Sequence, residues 1–326
     1  MPRLAAFFHI TIDELMDYRP QMTRPEIRRL YKNLAQDFST RPFDEVISRC
    51  REIVREYFSC PELLFQIACL YVNHCSLAGS LEKGFAVLEE AMTLCAEVRE
   101  QSGGALGAQA VNMEAFCLLR LDRVQEALEL LKNSVPLRMA PEPLLAEAYQ
   151  MTGNLQEARR VLQAGMYQIM LELLNLQLSY LGLCQEDALD ETVRRISSLE
   201  KSFRLEVLHP GMLLTAHFGI AQEYARRGDR EQALDFLERY QKLAVSDIYP
   251  LALRGDSYFN LLDGWLEENM TLGGSLSREE SAVRKSVQEA PAAVPAFSCL
   301  REDPRFQEIL RRLKDGKPDS RNGSSL

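Results

Sequence analysis

The sequence has few residues that interrupt regular secondary structure. Glycine (17) and proline (14) are sparse among 326 residues, and aromatic residues make up only 8%. An all-β sandwich or barrel needs many turns, so this composition argues against one. Hydrophobic residues at 46% and charged residues at 26% are ordinary for a folded chain and argue against disorder. The length is typical of about two domains.

Positive charge and long apolar runs are also lacking. Lys and Arg number 38 against 47 Asp and Glu, which gives a net charge of −9. The surface as a whole will not attract a phosphate backbone, so nucleic-acid binding would need a local basic patch or another segment. No run approaches the length of a membrane span. Acidic residues soon follow the apolar residues 4–8 without a cleavage site, which argues against a signal peptide. We expect a cytoplasmic protein with no membrane partner.

The motifs of common enzymes and metal sites are missing. Cysteines stand at positions 50, 60, 69, 75, 95, 117, 184 and 299, and histidines at 9, 74, 209 and 217. No C-x-x-C, H-E-x-x-H or phosphate-binding glycine loop occurs among them. We therefore expect buried free thiols, no metal, no cofactor and no enzymatic activity.

Helical spacing of apolar residues runs through nearly the whole chain. Thr23 to Glu26 forms a capping box that opens the first long helix, and Pro42 opens the second. Further helices are predicted near residues 62–76, 81–99, 107–121, 123–134, 141–152, 154–164, 166–183, 188–206, 211–227, 229–244, 255–269, 277–289 and 303–314. Short connections between them predict antiparallel neighbours.

Three segments of the sequence align on one another. In each, a small residue on one helix (Ala115, Ala146 and Ala221) is followed twelve residues later by an alanine on the next helix (Ala127, Ala158 and Ala233). Small residues at these places let paired helices approach closely. In two of the segments Gly153 or Gly228 ends the first helix.

This pattern resembles the tetratricopeptide (TPR) repeat, with its helix-A tyrosine, G-[DN] turn and E-A pair. A fourth copy is centred on Gly84, and the wide gap before Ala233 predicts a degenerate pair at 166–206. The resemblance implies an all-α fold, an α-α superhelix (TPR-like solenoid) with terminal capping helices.

The N-terminal residues carry a second resemblance. The matching residues are Leu4, Ala5, Phe8, Ile10, Thr11, Ile12, Asp13, Leu15 and Met16. They are similar to the closing part of an Xre/Cro-type helix-turn-helix domain, whose recognition helix would lie upstream. DNA contact is therefore expected only through a helix-turn-helix domain absent from this chain. The alternative is that residues 1–18 are merely a leading helix of the solenoid.

These patterns divide the chain into five segments. They are 1–20, the remnant of the helix-turn-helix domain and linker; 21–60, an N-terminal helical pair; 61–247, the TPR-like repeats; 248–314, a C-terminal helical cap; and 315–326, a disordered tail.

The resemblance to TPR-containing Xre regulators implies a ligand groove lined by the first helix of each repeat. Amide, aromatic and cationic side chains suited to a peptide lie there: Asn73, Asn112, Phe116, Gln150, Phe218 and Arg226. The implied function is the ligand-sensing and dimerisation region of an Xre-family transcriptional regulator, a homodimer that binds a peptide or small molecule. The alternatives are a stand-alone TPR adaptor that binds a protein partner without any DNA role, and a regulator of another enzyme.

Overall fold

A computed structural model describes residues 7–8, 21–132, 140–274 and 278–316. The described residues form helices and connecting turns without a β-strand, which confirms the all-α prediction for this part of the chain. None of its helices has the length and apolar character needed to cross a bilayer. Of residues 1–20, predicted as a helix-turn-helix remnant and linker, the structure describes only Phe7 and Phe8, and residues 317–326 of the predicted tail 315–326 also lie outside the described residues.

The chain divides into two compact units. Unit 1 comprises residues 1–138 and 277–279, and unit 2 comprises 139–276 and 280–326. The division falls inside the predicted repeat region 61–247. Each unit is described by itself below.

Unit 1 is a succession of helices joined by short turns. They are α1 (Arg24–Thr40), α2 (Phe43–Glu56), α3 (Pro61–His74), a 3₁₀ turn (Cys75–Leu77), α4 (Leu81–Gln101), α5 (Gly104–Arg120) and α6 (Val124–Leu131). Neighbours in sequence from α3 to α6 pack on one another. The predicted cap of α1 is present, because the carboxylate of Glu26 accepts hydrogen bonds from the backbone N–H and the hydroxyl of Thr23 at 2.8 and 2.7 Å.

Unit 2 contains the other helices that the structure describes. They are α7 (Glu142–Met151), α8 (Leu155–Leu181), α9 (Glu186–Phe203), α10 (Leu205–Leu208), α11 (Pro210–Arg226), α12 (Arg230–Ala244), α13 (Leu262–Asn269), α14 (Glu280–Ala293), a 3₁₀ segment (Pro295–Leu300) and α15 (Pro304–Asp315). Helices α7 and α8 form one hairpin, and α11 and α12 form another.

The turns of these two hairpins follow the sequence prediction. Gly153 and Gly228 adopt φ values of +79° and +86°, which favour glycine because it lacks a Cβ. The next residue caps the second helix in each case. The Asn154 side chain accepts from the N–H of Glu157 at 3.4 Å, and that of Asp229 accepts from the N–H of Gln232 at 3.1 Å. The chain therefore reverses where the repeat pattern indicates.

One predicted helix boundary is wrong. Residues 154–164 and 166–183 were expected as two helices, whereas α8 is a single helix of 27 residues. Gly165 does not end the helix. It allows α7 and α8 to approach each other closely, since a Cβ there would lie 2.9 Å from Cγ of Glu142 on α7. The predicted degenerate pair at 166–206 therefore begins inside the second helix of the preceding hairpin.

A second predicted boundary is also wrong, because the helix expected from residue 255 begins at Leu262. The Asp256 carboxylate accepts from the N–H groups of Tyr258 and Phe259 at 2.8 and 2.9 Å. The N–H of Gly255 donates to Asp263 at 2.6 Å. These carboxylates bind backbone N–H groups in a non-helical turn, so the residues before Leu262 do not form a first helical turn.

The predicted terminal helix is present as α15. Its apolar residues Phe306, Ile309 and Leu313 are buried in the core of unit 2. Arg305 at its start donates to three carboxylates of α12, those of Glu231, Asp235 and Glu238, at 2.8 to 3.0 Å. This network orients α15 along α12.

His209 caps helix α11 through its imidazole ring. The N–H of Met212 donates to Nδ1 of His209 at 3.1 Å, which requires that nitrogen to be unprotonated. Burial lowers the pKa of His209 below its ordinary value of 6.5. The folded chain therefore binds fewer protons here than the unfolded chain. The stability from this cap is present above pH 6.5 and is lost as the pH falls below that value.

We expect His209→Asn to preserve the cap and to flatten the pH dependence, because an asparagine oxygen accepts the same hydrogen bond without titrating. Thermal unfolding at pH 7.5 and pH 5.0 checks this: the variant should lose less stability on acidification than the parent. The control His209→Ala should lose about 1 kcal/mol through the missing cap, most visibly at pH 7.5. Equal acid sensitivity of parent and His209→Asn would contradict the assignment.

Candidate functional site

The predicted groove residues are divided between the two units. In unit 1, Asn112 and Phe116 lie one turn apart on the exposed side of α5. The guanidinium of Arg120 sits over the Phe116 ring at 4.9 Å from its centroid. Asn73 lies on α3, half-buried, and its amide donates to the Tyr31 hydroxyl at 3.4 Å.

The three predicted residues of unit 2 lie in different surroundings. Gln150 is exposed near the end of α7. Arg226 is exposed on α11 and its guanidinium lies 3.5 Å from the carboxylate of Glu223. Phe218 is half-buried, with its ring 5.2 Å from Tyr240 and 5.5 Å from Phe297. The Phe218 ring is thus engaged by the core of the unit.

A different feature of unit 2 is the strongest candidate site. It is a groove of about 310 Å³ whose floor is α8 and whose walls come from the start of α7 and the end of α9. We call it the unit-2 groove. Its lining residues are Ala140, Glu142, Pro143, Leu162, Gly165, Met166, Ile169, Met170, Leu173, Leu199 and Phe203.

The unit-2 groove is almost entirely apolar. Met166 and Ile169 point their side chains to solvent from its floor, while Leu199 and Phe203 close one side. Among the described residues of the lining, Glu142 is the sole charged one, and its Oε2 atom is buried with no hydrogen-bond partner in the part of the chain that the structure describes. An unpaired buried carboxylate oxygen is costly, so a donor group on a bound molecule would be favoured there.

The sequence contains a pattern that indicates this groove, although the repeat pattern makes it hard to recognise. Residues 161–185 contain one charged residue, Glu172, although α8 has a wide exposed face. The positions Leu162, Met166, Ile169 and Leu173 follow each other at intervals of four, three and four, the spacing of one helix face. The spacing shows which residues share a face of the helix but not what covers that face, so the groove cannot be recognised from the sequence alone.

Most of the cysteines and His217 lie in the interior of their units. All eight cysteines are free, and five of them are buried. Burial raises the pKa of Cys50, Cys69 and Cys117 to about 12, which keeps these thiols protonated and unreactive at neutral pH. His217 is buried with its Nε2 3.2 Å from a carboxylate oxygen of Glu200. Among the described residues, no three side chains of His, Cys, Asp or Glu form a metal-binding group.

Two methionines on α8 provide a matched test of the groove geometry. Met170 is 3% exposed and Met166 is 38% exposed, four residues apart on the same helix. Met170→Ala should lower the free energy of unfolding by about 2–4 kcal/mol, because it leaves a cavity. Met166→Ala should lower it by less than about 1 kcal/mol. Urea unfolding of both variants measures the difference, and equal losses would mean that the groove floor is closed.

Comparison with known proteins finds no match for this chain. The chain matches none of the family models, curated proteins or solved structures with which it was compared. The function of this protein therefore has to be inferred from the chemistry of its own surfaces, of which the unit-2 groove is the best defined.

Proposed function

We propose that this protein acts by binding rather than by catalysis, and that the unit-2 groove holds an apolar segment of a peptide or small molecule. The observation that carries the proposal is the apolar lining of the groove on the exposed face of α8. Exposed apolar concavities of this kind bind ligands by burying their hydrophobic surface.

The binding proposal is consistent with a TPR-like superhelix. Ala115, Ala127, Ala158 and Ala233 of the repeat pattern are buried where paired helices meet, and glycines reverse the chain in two hairpins. Proteins built from stacked helical hairpins present extended surfaces to partner molecules. Within this proposal, the exposed face of α5 with Asn112 and Phe116 is a second contact surface, in unit 1.

We further propose that the chain is the ligand-sensing and dimerisation region of an Xre-family transcriptional regulator. The support is the resemblance of residues 2–18 to the end of a helix-turn-helix domain. A net charge of −9 fits a sensing region that leaves DNA contact to another domain. Ligand binding would shift the balance between two arrangements of the dimer and so alter its fit to paired DNA half-sites.

The groove can be tested with an apolar fluorescent probe, N-phenyl-1-naphthylamine. We expect saturable binding with a rise in fluorescence, because the ring system would leave water for the apolar lining. Met166→Asp should weaken binding at least tenfold, since it places a charge on the groove floor. Asn175→Asp adds the same charge on an exposed polar position of α8 outside the groove and should leave binding unchanged. Equal effects of the two substitutions would exclude the groove as the binding site.

The carboxylate of Glu142 in the groove predicts a preference for a cationic over an anionic head group. In competition with the probe, decylamine should displace it more strongly than decanoate. A unit charge pair at 4 Å contributes about 1 kcal/mol in water, a factor of about five in affinity. Glu142→Gln should remove most of this preference, whereas Asn175→Asp should not. A preference that persists in Glu142→Gln would assign it to the overall negative charge of the protein.

A stand-alone adaptor that binds a protein partner is the second candidate, because the same groove would accept an apolar segment of a folded protein. Chromatin immunoprecipitation of the natively expressed protein, tagged at its C-terminus, separates the two functions. Enrichment of discrete DNA sites is expected for the regulator. Absence of enrichment together with a co-purifying protein would establish the adaptor.

A further inference from the structure

A second concave feature lies within unit 1, between α2, α3 and α4. It is a cleft of about 580 Å³, which we call the unit-1 cleft. This volume lies within the range of roughly 300–1,000 Å³ that is typical of sites for small molecules. The cleft differs in chemistry from the unit-2 groove. It combines two arginines of α2 and two glutamates of α4 with Tyr71 of α3 and several apolar side chains.

One arginine and one glutamate of the unit-1 cleft neutralise each other. Nε and Nη2 of Arg51 donate to the two carboxylate oxygens of Glu90 at 3.0 and 2.5 Å. A two-pronged pair of this kind holds both side chains in a fixed geometry and cancels their charges. A molecule in the cleft would therefore meet the charges of the other arginine and the other glutamate.

These other two residues are Arg55, in the last turn of α2, and Glu89 on α4, and both are exposed. Neither side chain forms a hydrogen bond or ion pair with another residue of the described chain. The charge of Arg123 interacts with Glu89, but the Nε and Nη2 atoms of that guanidinium donate to Glu126. The cleft thus offers one cationic and one anionic group to a bound molecule.

Tyr71 supplies a neutral donor at the floor of the unit-1 cleft. Its side chain is 1% exposed, yet the hydroxyl has no hydrogen-bond partner within the described ranges and is not sealed from solvent. The hydroxyl therefore opens on the cleft that this residue lines. Burial raises the pKa of Tyr71 above its ordinary value of 10, so the group remains an O–H donor at neutral pH. A donor without a partner in such a place favours an acceptor on a bound molecule.

We propose that the unit-1 cleft binds a free α-amino acid with an apolar side chain. The Arg55 guanidinium and the Tyr71 hydroxyl both donate, and together they suit the carboxylate of the ligand. The Glu89 carboxylate accepts, and it suits the ammonium group. The side chain of the ligand would lie against the apolar residues of the lining, Val54, Ala86 and Leu94.

The balance of charge in the cleft selects a zwitterion. A simple carboxylate or a phosphate would pair with Arg55 but would also face Glu89, which repels an anion. An amine would pair with Glu89 but would face Arg55. A molecule that carries both charges satisfies both side chains, and its apolar part leaves water for the rest of the lining.

Isothermal titration calorimetry of the full chain with L-leucine tests the proposal. We expect saturable binding with a dissociation constant below about 1 mM. 4-Methylpentanoate lacks the ammonium group of leucine and 3-methylbutylamine lacks its carboxylate, so each should bind at least tenfold more weakly. The absence of saturable heat with leucine up to about 10 mM would overturn the proposal. An affinity for either analogue equal to that for leucine would also overturn it.

Substitutions in the cleft test each charged contact. Arg55→Gln should weaken leucine binding at least tenfold and remove the advantage of leucine over 3-methylbutylamine, because the carboxylate loses its cation. Glu89→Gln should remove the advantage over 4-methylpentanoate in the same way. The exposed residues Arg29 on α1 and Glu82 on α4 lie outside the cleft, so Arg29→Gln and Glu82→Gln are matched controls that should bind leucine as the parent does. Equal effects of a cleft substitution and its control would exclude the cleft.

Tyr71→Phe tests the buried donor. The hydroxyl has no partner in the described chain to lose, so urea unfolding of the variant should match that of the parent. Leucine binding should nevertheless weaken about fivefold, because the carboxylate loses a hydrogen bond. Unchanged leucine binding would overturn the placement of the carboxylate beside Tyr71.

The site goes beyond the proposed function, because it lies wholly in unit 1 and shares no residue with the unit-2 groove. Met166→Asp should therefore leave leucine binding unchanged, and Arg55→Gln should leave binding of the naphthylamine probe unchanged. A parent protein that binds the probe but not leucine would refute the amino-acid site alone. One that binds leucine but not the probe would refute the unit-2 groove and support the amino-acid site.

Discussion

The hairpin of α7 and α8 in unit 2 depends on a close contact between Glu142 and Gly165. Because Gly165 has no Cβ, the side chain of Glu142 on α7 lies directly against α8, where a methyl group would come within 2.9 Å of its Cγ. The hairpin can therefore close tightly at its outer end while α8 continues for 27 residues. A helix of that length reaches beyond its hairpin partner, and the part that is not covered supplies the floor of the unit-2 groove.

Helix α8 has three faces, and each has a different role. One face packs into the core through residues such as Met170 and Leu174, and another is polar. The third is apolar yet exposed, and its first half forms a concave groove with α7 and α9 whereas its second half is an open row. The concave part suits a small or flexible ligand.

Several buried or paired groups among the described residues stabilise the fold. Burial keeps several thiols protonated, Arg305 ties α15 to α12 through three carboxylates, and His209 caps α11 with an unprotonated imidazole. The last of these makes the fold sensitive to acid, because protonation of Nδ1 removes the acceptor on which the cap depends. Among the described residues, α8 also supplies the floor of the apolar unit-2 groove.

The sequence by itself determined the helical class, the turns at Gly153 and Gly228, the small residues between paired helices and the burial of α15. Each of these depends on local backbone preference or on the period of apolar residues. The length of α8, the start of α13 and the unit-2 groove were decided by tertiary structure. Gly165 is compatible with a helix end or a close helix contact, and only the neighbouring Glu142 selects between them. Likewise, the period of Leu162, Met166 and Ile169 defines a face, but the positions of α7 and α9 decide that this face remains open.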